Sequence, residues 1–508
     1  MHFSKGIFSR LFIVGFAIVA QFALFMMIIS RLNEFHFAFN TLMHIISFAV
    51  IISIINRDMI TEAKIPWIII TLLIPLFGTV TYLCFSEYKL SRKQKKQHQL
   101  VIERMAKHFD TDKQTHYKIM EKAGKYSGQC RYILKNTKQY AYDNTDTEFY
   151  PDGEAFLRSL INELSKAKKY IFMEYFIIEE GVMWNSIYEI LKEKAASGVE
   201  VRLMYDDLGS VNTLGWYFDK KVSQEGIICV KFNPFKPVIS ERHNNRDHRK
   251  ITVIDGNVAF VGGHNIADEY INAKQRCGYW KDTAIRIRGN AVKSFAALFL
   301  QNYDNQMGIV ENYAKYLNNE YFSNPNAKGI VQPYGDGPRP AYGDYVAANI
   351  FLNMINQAEK YIWITTPYLI IDSKLQNALC SAAMRGVDVR IITPHIPDKK
   401  AIFAMTRSYY HRLQQGGVKI YEYTPGFMHA KQVLCDDESA TVGTVNLDYR
   451  SLIHHYECGV FMAGTECIED IKQDFLNLFS CSQNMQGFAQ NKLVTLLCRI
   501  GTAFTPLL

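Results

Sequence analysis

Two histidines of the 508-residue chain stand in the same frame. His248 opens His248-Arg249-Lys250-Ile251-Thr252-Val253-Ile254-Asp255, and His429 opens His429-Ala430-Lys431-Gln432-Val433-Leu434-Cys435-Asp436. Gly262 and Gly443 follow their histidines by fourteen positions, and Asn265 and Asn446 by seventeen. A lone His-x-Lys is uninformative; two copies that also share the spacing of Asp, Gly and Asn are a repeat. Residues two apart on a strand share a face, so each imidazole projects beside its ammonium. That pairing suits phosphoryl transfer: lysine holds anionic oxygens while histidine attacks phosphorus or supplies a proton. The candidate catalytic set is therefore His248, Lys250, Asp255, His429, Lys431 and Asp436. Within it, Asp255 and Asp436 have odd parity and fall in turn sequences, Asp255-Gly256 and Asp436-Asp437, so they are expected to brace the motif. Gly262-Gly263 and Gly443-Thr444 are small enough to admit a ligand to the backbone, and Asn265 and Asn446 are candidate amide donors to phosphate. His243, His264, His454 and His455 have no duplicated context and receive no role.

The elements that must position these residues also repeat. Tyr170-Ile171-Phe172-Met173-Glu174-Tyr175 and Tyr361-Ile362-Trp363-Ile364-Thr365-Thr366 read as buried strands. Ala195-Ala196-Ser197-Gly198-Val199-Glu200-Val201 and Ala383-Met384-Arg385-Gly386-Val387-Asp388-Val389 each read as a helix end, a glycine stop and a strand. From about Cys130 on, apolar β-rich runs alternate with amphipathic helical stretches, which indicates an α/β class with two similar lobes. The divisions are an anchor (1–85), a basic linker (86–129), a first lobe (130–325), a second lobe (326–485) and an amphipathic tail (486–508).

The first 85 residues are different. Leu11–Ile29, Phe37–Ile55 and Ile65–Phe85 are apolar runs near the ~20 residues of a membrane-spanning helix, giving two or three transmembrane helices. The Asn56–Lys64 loop makes the last two a hairpin. Lys5 and Arg10 give a basic start, but the first run is longer than a signal core. Behind the last run come Lys89, Arg92, Lys93, Lys95, Lys96, Arg104 and Lys107, a solvated helix face or, from their position, a positive-inside signal placing the body in the cytoplasm. Together these imply a multi-pass membrane protein. At the other end Leu493, Leu496, Leu497, Ile500 and Phe504 fall on one helical face, suited either to the membrane surface or to packing on the body.

The net charge of +8 suits anionic lipid and does not by itself mark a nucleic-acid binder. None of the ten cysteines forms a C-x-x-C pair, no Cys/His cluster has zinc spacing, and no phosphate-binding Gly-x4-Gly-Lys-Ser/Thr loop occurs. No metal or nucleotide cofactor is expected.

The duplicated motif resembles the double His-Lys-Asp signature of the phospholipase D superfamily, and most closely its bacterial cardiolipin synthases. The similarity extends through Asn245-Arg246-Asp247, Gly262-Gly263-His264-Asn265, Tyr279-Trp280-Lys281-Asp282-Thr283, Thr366-Pro367-Tyr368, Pro425-Gly426-Phe427-Met428 and Gly443-Thr444-Val445-Asn446. It covers nearly the whole chain. Two departures are the extra apolar run before the hairpin and the polar His454-His455-Tyr456 before Glu457. The resemblance implies two mixed-sheet lobes related by a pseudo-twofold axis behind N-terminal transmembrane helices. Each lobe would give one His, Lys and Asn to a single site. It implies transfer of a phosphatidyl group between two phosphatidylglycerols through a phosphohistidine, at the anionic membrane lipid of a bacterial cell membrane, without nucleic acid. It further implies that Asp282 and Glu457 orient the imidazoles, Glu457 serving His248 and Asp282 serving His429. Water as acceptor would instead make the same site a hydrolase, and acceptor choice lies in pocket shape. A tethered nuclease or a lipid-binding scaffold fits the fused lobes and intact motifs less well. Oligomeric state is not legible.

Overall fold

The computed structural model describes residues 37–85, 92–109, 113–235, 244–318, 322–338, 342–343 and 345–507, together with positions 19, 23, 24 and 27. The first lobe carries β1 (Asp146–Tyr150), β2 (Tyr170–Tyr175), β3 (Glu200–Asp206), β4 (Ile228–Phe232), β5 (Lys250–Ile254), β6 (Val258–Gly262), β7 (Tyr279–Lys281) and β8 (Ala284–Arg288). All but β7 form one seven-stranded sheet in the order β1-β8-β6-β5-β2-β3-β4. The second lobe carries β9 (Ile330–Asp336), β10 (Tyr361–Thr365), β11 (Leu369–Ile370), β12 (Asp388–Pro394), β13 (Lys419–Tyr423), β14 (Gly426–Met428), β15 (Gln432–Cys435), β16 (Ser439–Gly443), β17 (Leu447–Asp448), β18 (Glu457–Ala463) and β19 (Ser482–Asn484). Its sheet runs β19-β13-β12-β10-β15-β16-β18-β9.

Strand by strand the two sheets correspond. β2, β3 and β4 pair in parallel, as do β10, β12 and β13. β2 pairs antiparallel with β5, and β10 with β15. The parallel steps are helical crossovers, Val182–Ala196 before β3 and Ser373–Met384 before β12. Each helix ends at a glycine in the left-handed region, Gly198 (φ 88°) and Gly386 (φ 95°), where a side chain would be strained. The sheets meet face to face. Phe172, Ile251, Val253 and Val261 of one pack in a shared core with Leu434, Val442, Val460 and Met462 of the other.

The N-terminal expectations are met in part. The Leu11–Ile29 run lies outside the described residues apart from the isolated positions named above. The second run is the helix Phe37–Asn56. The third is two helices, Thr61–Leu73 and Pro75–Phe85, broken at Ile74, because Pro75 brings no N–H and its ring opposes the carbonyl four residues back. Among the described residues no helix is long and apolar enough to cross a membrane. The three helices pack together. Gly78 lets two of them close up, since a Cβ there would meet Thr71 Cα at 2.3 Å. Ser47 Oγ lies 2.8 Å from Thr79 Oγ1, and Trp67 packs edge-on to Tyr82.

Over its described residues the segment 86–129 is largely helical and packs on the body. Val101 and Met105 of the helix Arg92–Ala106 and Phe109 beyond it enter the shared core. Arg92, Lys93, Lys95, Lys96 and Arg104 lie on that helix, whose apolar stripe is already used, while Lys89 lies outside the described residues.

Candidate active site

Each histidine lies just ahead of a strand, His248 before β5 and His429 before β15, and each is fastened to the opposite lobe. His248 N–H donates to Tyr456 O at 2.9 Å, and His429 N–H donates to Lys281 O at 2.7 Å. The next residue after each acceptor is a carboxylate. Glu457 Oε1 and Oε2 lie 2.8 and 3.0 Å from His248 Nδ1, and Asp282 Oδ2 lies 2.5 Å from His429 Nδ1. The two arrangements are copies related by the lobe repeat. β7 and β14 pair across the seam, with Trp280 opposite Phe427.

The lysines turn to the same space. Lys250 Nζ donates to His248 O at 2.5 Å, and Lys431 Nζ donates to His429 O. Lys431 Nζ also lies 2.7 Å from His429 Nδ1. A nitrogen that gives its proton to Asp282 cannot also accept from an ammonium, so we assign that proton to the carboxylate and leave the remaining lysine protons for the site. Glu457 is further held by the hydroxyl of Thr444, which donates to its Oε2.

Burial and mutual repulsion set the charges. Both histidines are buried. Burial first, then the neighbouring ammonium groups of Lys250 and Lys431, holds both imidazoles well below their usual pKa. Burial likewise brings Lys250 down to about 8 and Lys431 down to about 7. The site is thus short of negative charge, and an anionic diester between the lysines would raise all four groups by favouring their charged forms.

The other predicted residues divide. Asp255 accepts the backbone N–H groups of Lys168, Lys169 and Tyr170 at 2.7–2.9 Å, and Asp436 those of Glu359, Lys360 and Tyr361 at 2.8–2.9 Å. Both sit in left-handed turns (φ 52° and 57°) and cap the start of β2 or β10, away from the histidines. Asn265 is occupied at both ends: Oδ1 accepts from Ile177 N–H and Nδ2 donates to Tyr270 Oη at 2.6 Å. Asn446 Oδ1 has no hydrogen-bond partner among the described residues. The glycines serve the protein more than a ligand. A Cβ on Gly262 or Gly443 would meet Thr283 O or Cys458 O at about 2.5 Å, and one on Gly263 would meet the Asp282 carboxylate at 2.0 Å. Their fixed spacing leaves room for the backbone next to the orienting acid, at the start of β8 and of β18.

Several supporting residues carried no repeat signal. Arg246 forms a buried ion pair with Asp206 at 2.9 Å, which anchors the segment leading to His248. Arg249 donates to Leu298 O and Tyr342 Oη. Thr444 was visible only as the small residue after Gly443. His264 stacks on Phe156, and His454 Nε2 faces Pro506 O at 3.1 Å; His243 lies outside the described residues. His455 lies beside the site, its ring 5.4 Å from that of His248.

The family described as "Cardiolipin synthase, PLD-like domain" matches residues 160–295 and 351–479, and that described as "Phospholipase D-nuclease N-terminal" matches 45–87. A cardiolipin synthase of Halalkalibacterium halodurans is 33 % identical over 437 residues, 85 % of either chain. Cardiolipin synthase 2 of Bacillus cereus is 33 % identical over 83 % of this chain and 81 % of that one. A Streptococcus mutans protein is 42 % identical over 84 % of this chain and 91 % of its own. The crystal structure of a Haemophilus influenzae phosphatidylserine synthase shares the fold, with a TM-score of 0.54 at 14 % identity over 72 % of this chain and 95 % of that one.

Proposed function

The chain belongs to the cardiolipin synthase family of phospholipase D-like proteins, and from that premise we propose that it transfers a phosphatidyl group from one phosphatidylglycerol to another. The observation that carries the reading is the seam itself. Two buried imidazoles, each held by a carboxylate from the other lobe, flank a space into which two lysines turn. In the reaction the lysines hold the anionic diester. Glu457 fixes the proton of His248 on Nδ1, so Nε2 presents its lone pair to phosphorus. A P–N bond forms as the P–O bond to glycerol breaks, and His429, protonated once the anion is in place, gives its proton to the departing oxygen. His429 then takes the proton of a second phosphatidylglycerol's hydroxyl, whose oxygen displaces His248. One diester is exchanged for another, so no activated donor enters. Burial of both histidines limits water as a competing acceptor and favours transfer over hydrolysis.

Purified protein incubated with phosphatidylglycerol alone is expected to give cardiolipin and glycerol in equal amounts without nucleotide. Phosphatidic acid as the sole lipid product would mark a hydrolase.

Attachment to a bacterial cell membrane, with the body on the cytoplasmic side, is part of the same proposal. Leu42, Ile45, Phe48, Ile52 and Leu72 of the N-terminal helices are exposed. The C-terminal helix Lys492–Phe504 packs against Thr61–Leu73 and Lys400–Gln415. It buries Cys498 while Leu493, Leu496, Leu497 and Ile500 stay 55–65 % exposed. That outward leucine face supports a surface-bound helix. In a chain lacking residues 1–85, removal of everything after Gln490 is expected to weaken binding to phosphatidylglycerol vesicles at least tenfold, given roughly 1.5–3 kcal/mol per fully buried Leu or Ile. Unchanged binding with lost solubility would assign the face to protein packing.

A further inference from the structure

His455 has no place in the reaction just described, yet it is buried against the nucleophile. Among the described residues neither of its ring nitrogens has a partner within hydrogen-bond distance; Glu457 Oε1 is 3.8 Å from Nδ1. Buried polar groups without partners are uncommon and call for a ligand or another specific explanation. His248 Nδ1 stands 2.8 Å from the same oxygen. One donor atom from each of His248, His455 and Glu457 lies within 4.8 Å of the others. Donor atoms about 2.1 Å from a tetrahedral zinc lie about 3.4 Å apart, close to the 2.8 and 3.8 Å that separate Glu457 Oε1 from the two imidazoles.

From this cluster we propose that His248, His455 and Glu457 form an inhibitory site for a divalent transition ion of the zinc class. Two imidazoles and a carboxylate are the donors such ions take. The inhibition follows from tautomerism. An imidazole bound to metal through Nδ1 keeps its single proton on Nε2, so the lone pair needed for attack on phosphorus is gone. The charges facing the site oppose one another: Glu457 and Asp282 favour a cation, while Lys250 and Lys431 disfavour it. The binding is therefore reversible and competes with the anionic substrate, whose phosphate needs the lysines charged. The site is one-sided. The position corresponding to His455 in the other lobe is Trp280, packed on His429 at 5.3 Å between ring centres, and indole supplies no metal ligand.

The role given to His248 rests on the transfer reading; metal binding does not, which separates the two in the test. Full-length protein freed of metal by chelation is titrated with Co²⁺, and its synthesis from phosphatidylglycerol vesicles is followed with added Zn²⁺. One equivalent of Co²⁺ is expected to give tetrahedral d–d absorption bands that Zn²⁺ displaces. Zn²⁺ is expected to inhibit reversibly on chelation. His455→Asn is expected to lose the bands and to need at least tenfold more Zn²⁺ for half-inhibition, with its metal-free activity preserved. His455→Ala serves in its place if the asparagine variant melts early, and His454→Asn is expected to behave as wild type. Bands of equal strength in the His455 variants, or equal sensitivity to Zn²⁺, would overturn the proposal. Absence of cardiolipin from metal-free wild type with the bands intact would instead overturn the transfer reading and leave the metal site standing.

Discussion

Replacing His248 by alanine is expected to remove transfer almost completely, a loss on the order of 10⁴-fold or more, while Asp255→Asn retains measurable turnover. The two residues belong to one eight-residue motif, so the contrast tests geometry. His248 faces the lysines with its Nδ1 on Glu457; without the imidazole no group remains to form the P–N bond. Asp255 accepts three backbone N–H groups at the head of β2. An asparagine there keeps one acceptor oxygen and brings an amide into a cluster of donors, which costs about 1–3 kcal/mol in stability. Thermal melting and steady-state rates of both variants decide the matter. The alanine variant is expected to melt near wild type and be inactive; the asparagine variant is expected to melt earlier and be active below its transition. Complete loss of activity in a well-folded Asp255→Asn would refute the bracing role.

His429→Ala is expected to slow transfer from phosphatidylglycerol by roughly 10²–10⁴-fold, the usual range for a general acid, and to do so selectively. A phosphatidyl ester with an acidic phenol in place of glycerol needs no proton on its leaving group. With that donor the variant is expected to release one equivalent of phenol in a burst and then stall, because no base remains to activate the acceptor hydroxyl. The stalled enzyme carries the phosphatidyl group on His248. It is collected under alkaline denaturing conditions, since the P–N bond is acid-labile, and mapped by peptide. Label on the peptide of His429 in wild type, with none on that of His248, would reverse the two roles and leave the two-histidine chemistry intact.

Legibility followed the range of the interactions. The repeated strands and the glycine-stopped crossover helices were visible because strand and helix periods are written in neighbouring residues. The bracing of Asp255 and Asp436 was visible for the same reason, as turn chemistry within each motif. The N-terminal runs were less transparent. Hydropathy marks apolar content, yet Pro75 splits the third run into two helices whose contacts with each other no window of sequence reports. Gly262 and Gly263 looked like space for a ligand; the space is filled by Thr283 O and the Asp282 carboxylate, which reach it only once β8 lies beside β6.

The sequence by itself determined the chemistry and its multiplicity: two His-Lys motifs, two lobes, and a phosphate as the group these side chains suit. It did so because the duplicated spacing repeats a local strand-and-turn design. The tertiary structure decided how each histidine is held, by the carboxylates that the resemblance implied, and how the halves differ. The His248–Glu457 pair spans 209 positions and the His429–Asp282 pair 147, and each closes when the two sheets pack face to face over a shared core. That packing makes near-identical motifs unequal, placing His455 against one imidazole and Trp280 against the other. Local patterns encode the secondary structure and the reactive groups, whereas the environment that tunes each group is built from residues distant in the chain.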